Sequence, residues 1–256
     1  MFESLTAATE VSAPTPAPTL RQEALLESRA RALLIASAAV SYPDADQRAA
    51  LLAVAEAGAA PPQLAPLLAA LAGDGDTVGE RYIGLFDIGK GKVSLYETEH
   101  GRMRGMGKGR DLADIAGFYR AFGLAPATGQ APENLDHLAV ELEFYAMLLL
   151  KRDLLQTEGD AAGAEIVDLA RRGFLHDHLG RFAATVASQP AVTEDALYAG
   201  AIGFAAALVA SECERLCVEP PPLDFYANLA EGDEMQCGAG VCVPGMPGPG
   251  KTDAPA

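Results

Sequence analysis

Tryptophan is missing from this 256-residue chain, and aromatic residues of any kind make up only 6% of it. A core short of large rings must be filled by aliphatic and small side chains. Half of the residues are apolar, so the shortage points to closely packed helices rather than a disordered polymer. Positive charge is scarce too: 19 Lys and Arg stand against 35 Asp and Glu, for a formal charge of −16. Nucleic-acid surfaces neutralise phosphates with basic side chains, so this balance excludes a general nucleic-acid binder. Four cysteines are too few for a disulfide framework in a chain of this length. Long hydrophobic runs are also lacking. The stretch from Ala199 to Ala210 falls well short of the roughly 20 residues of a membrane span, which argues against stable membrane association. Residues 1–19 contain three prolines and no Lys or Arg, which does not fit a secretory signal. The expected compartment is therefore the cytoplasm.

What is present is helical patterning. Leu20 to Val40 reads as a long helix stopped at Ser41-Tyr42-Pro43, because a residue before proline is pushed out of the α region. Further helices are predicted over 45–57, 61–71 and 77–86, the last capped by Thr77, then over 111–124, near 160–171 and 173–187, and from 192 to 218 with Thr193 as cap. The segment 133–156 carries Leu138, Leu142, Tyr145, Leu148 and Leu149 on one face of a 3.6-residue period. Between 87 and 110 the period breaks into a glycine-rich loop. No strand alternation and no repeat emerges. The reading is an all-α, single-domain bundle of about eight or nine helices, residues 20–218, between a flexible tail at 1–19 and a Pro/Gly-rich tail at 219–256.

Few residues suit catalysis. There is no phosphate loop, no nucleophile elbow and no credible Ser/His/Asp set. His176 and His178 lie about 200° apart on a helix, so they cannot share one ion. Cys213/Cys217 and Cys237/Cys242 lack the tight knuckle of a structural zinc site. A metal- or cofactor-handling role for these four cysteines, with His178, is the alternative reading; idle thiols in a reducing compartment are the simpler one. Two features stand out. The 87–110 loop holds six basic residues against Asp87, Glu97 and Glu99, a basic island that includes the apolar Val93, Leu95 and Tyr96. Glu133, Asp136, His137, Glu141 and Glu143 load the expected first turns of the 133–156 helix. Carboxylates are favoured at a helix N-terminus in any case. As i, i+4 pairs with His137, however, Glu133 and Glu141 could also orient its imidazole toward a guanidinium-bearing, apolar peptide.

These pieces together resemble a known family. ENLDHLAVELEF at 133–144 resembles the E-x-P-D-H-x-x-x-E-L-E-F hallmark of the TorD/DmsD/NarJ-type redox-enzyme maturation chaperones. Tyr82-x-x-Leu85-Phe86-x-x-Gly89 and Ser94-Leu95-Tyr96-Glu97 match its other landmark, and HDHLGRF at 176–182 its later His-Leu helix. The loop followed by LADIAGFYRAFGL is most similar to the branch serving type II enzymes of the DMSO reductase family, such as ethylbenzene and dimethylsulfide dehydrogenases and selenate and chlorate reductases. Leu135 stands where the family has Pro, and Tyr145 where Met is common. The resemblance implies a non-enzymatic chaperone without a resident cofactor or metal, working as a monomer or weak dimer. It implies binding of the apo catalytic subunit of a molybdenum enzyme, with its twin-arginine leader, until molybdopterin insertion and Tat export. It also implies client-peptide binding through Asp136, His137, Glu133, Glu141 and Glu143, with Leu85, Phe86 and Tyr96 lining the region.

Overall fold

The computed structural model describes residues 20–87, 91–100, 108–124 and 135–223, and for 20–26 the backbone alone. The fold is built of α1 (Leu20–Val40), α2 (Ala45–Glu56), α3 (Ala65–Gly73), α4 (Gly75–Phe86), α5 (Lys108–Ala121), α6 (Leu138–Thr157), α7 (Ala161–Phe174), α8 (Gly180–Ala187), the single turn α9 (Pro190–Thr193) and α10 (Tyr198–Leu216). Among the described residues the extended pairing is one isolated antiparallel bridge, Tyr96 to His137. The all-α expectation holds. The expected tail at 1–19 lies outside the described residues, as does that at 219–256 except for 219–223, where Leu223 packs into the core.

α1 and α6 form the spine and run antiparallel: the Ser37 hydroxyl donates to Glu143 Oε1 at 3.0 Å near one end, while Glu27 faces Asp153 near the other. Small side chains let the axes approach. Ala36 and Ala39 of α1, Ala146 of α6, and Ala201 and Ala205 of α10 are buried together with Leu33, Leu142, Leu148 and Leu149. Each such leucine contributes about 1.5–3 kcal/mol by leaving water. α7 folds back on α6, tied by Arg152 to Asp168 at 3.4 Å. α10 closes the bundle against α1 through the Arg29–Glu212 ion pair.

Several helix starts differ from expectation because other side chains satisfy the free amides. Asp74, not Thr77, caps α4, accepting from the amides of Asp76 and Thr77 at 3.1 and 3.3 Å. The last helix begins at Tyr198, not 192: 190–193 form a separate turn, and Asp195 accepts from the Leu197 and Tyr198 amides, each at 2.9 Å. Lys108 to Arg110, assigned to the loop by sequence, open α5. Between α7 and α8 the chain makes a π-helical turn, Leu175–Leu179.

Candidate functional site

The largest departure from expectation falls at the candidate site. α6 starts at Leu138, and His137 is its N-cap, extended at φ −76°, ψ 135°. Asp136 and His137 therefore precede the helix, and the expected i, i+4 pairing of His137 with Glu141 is absent. Glu133 lies outside the described residues. A tertiary pairing holds His137 extended: Glu97 N donates to Asp136 O and Leu138 N to Leu95 O, each at 2.9 Å. Asp136 reinforces the join, its Oδ2 accepting from Thr98 N at 3.0 Å and Thr98 Oγ1 at 2.6 Å. The two sequence landmarks are thus one structural unit.

His137 Nδ1 accepts from the Ala139 amide at 3.1 Å. Burial holds the ring's pKa down at about 4, so it is neutral with its proton on Nε2, 3.5 Å from the Tyr82 hydroxyl. That hydroxyl donates to Val40 O at 3.3 Å, leaving its lone pairs to face the imidazole N–H. Tyr96 stacks edge-on against His137, centroids 5.0 Å apart. Tyr42 meets Tyr82 likewise at 5.5 Å, and Phe86 supports Tyr82 from below at 5.1 Å.

These rings floor a groove of about 570 Å³ between the end of α1, the start of α2, α4 and the head of α6. Asp44, Asp87 and Glu143 stand along it, and its described lining includes no Lys or Arg. Of the sequence candidates, His137, Tyr96 and Glu143 line the groove. Asp136, Glu141, Leu85 and Phe86 are buried behind it. Leu85 anchors the following loop, its carbonyl accepting from Lys92 N and Val93 N at 2.8 and 2.9 Å. Glu141 is fully buried with both oxygens unpartnered; desolvation, and then the charges of Glu97 and Asp136, push its pKa well up, so it is held protonated. Asp136 is also pushed up by burial, against the Thr98 hydrogen bonds. Sequence reasoning did not propose Tyr42, Asp44 or Asp87. The first two flank the proline that ends α1, and Asp87 is the C-cap of α4, so each carried a local turn signal without a functional one.

The four-cysteine reading meets a divided picture. Cys213 is buried, its thiol pushed up to about 11 by desolvation and the Glu212 charge, whereas Cys217 is exposed in the left-handed C-cap of α10. Cys237 and Cys242 lie outside the described residues. Among the described residues no three His, Cys, Asp or Glu side chains cluster as metal ligands would.

The described residues thus form a helical bundle that presents a ring-floored, acidic groove. Residues 53–188 match the family described as nitrate reductase delta subunit, and the chain belongs to that NarJ/TorD-type family. The chlorate reductase assembly chaperone protein of Ideonella dechloratans is 35% identical over 143 residues, 54% of this chain and 64% of that protein. The first alignment thus spans a little under two thirds of the relative. The selenate reductase assembly chaperone protein of Thauera selenatis is 30% identical over 201 residues, covering 77% and 94%. Both relatives carry names from the branch that the sequence motifs resemble.

Proposed function

We propose that this chain is the cytoplasmic assembly chaperone of the catalytic subunit of a molybdenum enzyme of the type II DMSO reductase family. It holds the apo subunit, including its twin-arginine leader, until the molybdopterin cofactor is inserted and the client is released for Tat export. The working unit is residues 20–218. The observation that carries this reading is the groove, where three tyrosine rings and a neutral imidazole lie beside Asp44, Asp87 and Glu143. A guanidinium stacks on an aromatic face and pairs bidentately with a carboxylate, which a lysine ammonium does less well. Of the motif residues, His137, Tyr96 and Glu143 make the contacts. Asp136, Glu141, Leu85 and Phe86 keep the walls in register, and Glu133 belongs to the same set by its place in the motif.

Co-purification of the full-length chain with its candidate client, and titration with the client's leader peptide, test this. Glu143→Lys and Asp87→Lys each put a cation where an arginine would sit, and are expected to weaken peptide binding about tenfold or more. Raised salt weakens it further, because the pairing is largely solvent-accessible. Client maturation that proceeds normally in cells lacking this chain, or peptide affinity indifferent to both lysine variants, overturns the reading.

A further inference from the structure

Tyr96, which lines the groove, is the N-cap of the 3-10 turn Glu97–Glu99, and the segment 94–99 is gripped from two sides. On the α6 side are the Asp136 contacts already described. On the opposite side Glu97, 2% exposed, turns its carboxylate away from the groove. Its Oε2 lies 2.9 Å from His178 Nδ1, and its Oε1 accepts from Arg181 Nε and Nη2 at 3.2 and 3.1 Å. His178 Nε2 in turn lies 3.2 Å from Asp114 Oδ2 of α5. Neither His178 nor Arg181 lines the groove. Both imidazole nitrogens thus face carboxylate oxygens. A neutral ring has one N–H and would set a lone pair against one of them, so the arrangement calls for the imidazolium. The π-helical turn that carries His178 is a rare geometry that is frequent at functional sites.

We propose that charged His178, together with Arg181, is the positioning unit of the groove: through Glu97 it holds Tyr96 in place for a basic peptide, so that peptide affinity falls as pH rises through deprotonation of His178. The identity of the peptide rests on the function proposed above; the positioning does not. The charged groups facing His178 are Glu97 from segment 94–99, Asp114 from α5 and Arg181 from α8, with Asp136 and Glu141 behind Glu97. Phe118 and Phe174 cover the ring. Also packed on the segment, His100 approaches the Ser94 carbonyl, not a carboxylate. Desolvation opposes the charge on His178, but the Glu97 hydrogen bond and the charges of Glu97 and Asp114 outweigh it, and the net shift is upward. A raised folded-state pKa gives a contribution that is complete below the ordinary value of about 6.5 and is lost as pH climbs through the folded value.

Full-length wild type, His178→Gln, Glu97→Gln and Arg181→Lys are compared by amide hydrogen exchange, and by titration with a synthetic peptide of two adjacent arginines followed by an alanine-leucine run. The titrations run from about pH 6 to about pH 9, across the range where a histidine changes charge. Protection of the Glu97 and Leu138 amides is expected to fall about tenfold in the Gln variants, the effect of losing one charge-assisted hydrogen bond, while core amides of α1 and α10 stay protected. Arg181→Lys keeps the charge without the fork and loses part of that protection. Wild type should lose about tenfold in peptide affinity across the range, and His178→Gln should bind weakly with no such slope. Unchanged protection in both Gln variants, or an unchanged pH slope in His178→Gln, overturns the proposal. A wild type that binds the peptide at no pH, with protection still lost in the variants, overturns the client reading while supporting the positioning.

Discussion

At the head of α6 the His137 lone pair is engaged by the Ala139 amide, and the burial that lowers the ring's pKa to about 4 has a thermodynamic consequence. The unfolded chain takes up a proton at about 6.5 that the folded chain refuses, so this group's contribution is complete above about pH 6.5 and is lost as pH falls toward 4. Over that window it costs up to about 1.4 kcal/mol per pH unit. In His137→Asn the cap acceptor is kept and the titration removed, so urea unfolding over the same pH series should show a shallower decline. Glu141 behaves in the opposite sense. Its raised pKa means that the fold favours the protonated carboxyl, a contribution present below about 4.5 and lost as pH rises toward the folded value. Replacing that buried, unpartnered carboxyl by a thioether of similar length, Glu141→Met, should raise stability at neutral pH by about 1–4 kcal/mol. An equal or lower melting temperature at neutral pH would contradict this.

Among the elements, most helices were legible because the apolar period and the Pro and Gly stops are local signals. The head of α6 was not. Carboxylates at 133 and 136 read as first-turn residues, but the Tyr96 bridge keeps His137 extended, and its partner lies about forty residues upstream, where no local pattern points to it. Tertiary contact overrode a sound propensity argument. The same holds for His178, weighed by sequence as a metal ligand: its partner Glu97 is 81 positions away. Motif resemblance brought the 94–97 and 133–144 stretches into one set without revealing that each shapes the other. One helix contact is close enough to give a sharp expectation. A Cβ on Gly200 of α10 would lie 2.1 Å from the Gln63 carbonyl oxygen, and this backbone atom has no flexible end to swing aside. Gly200→Ala should therefore lower stability by about 1–3 kcal/mol, read by thermal or denaturant unfolding. Gly203→Ala, where nothing lies within 4 Å, serves as the neutral or stabilising control.

Across the whole molecule, Glu212 of α10 joins elements that are remote in sequence. Its carboxylate, 3% exposed, takes Arg29 of α1, Arg171 of α7 at 3.1 Å and the Tyr145 hydroxyl of α6 at 3.2 Å. Removing it leaves Arg171, itself buried, without that partner. Glu212→Ala is expected to cost about 3–5 kcal/mol, measured as a drop in the midpoint of unfolding, and the peptide groove, whose lining includes neither Glu212 nor its partners Arg29, Arg171 and Tyr145, should still bind in the fraction that remains folded. The pairing of α1 with α6 and α10 also fixes an order of events during synthesis. The first helix has no finished place to lie until the sixth has been made, and the bundle is not sealed until the tenth, at Leu216, has emerged. The stretch shared with the family, 53–188, contains neither α1 nor α10. A nascent copy that has already completed that stretch holds both helices of the spine but still lacks α10, so the side of α1 that carries Arg29 stays open until Glu212 and Leu216 have been made.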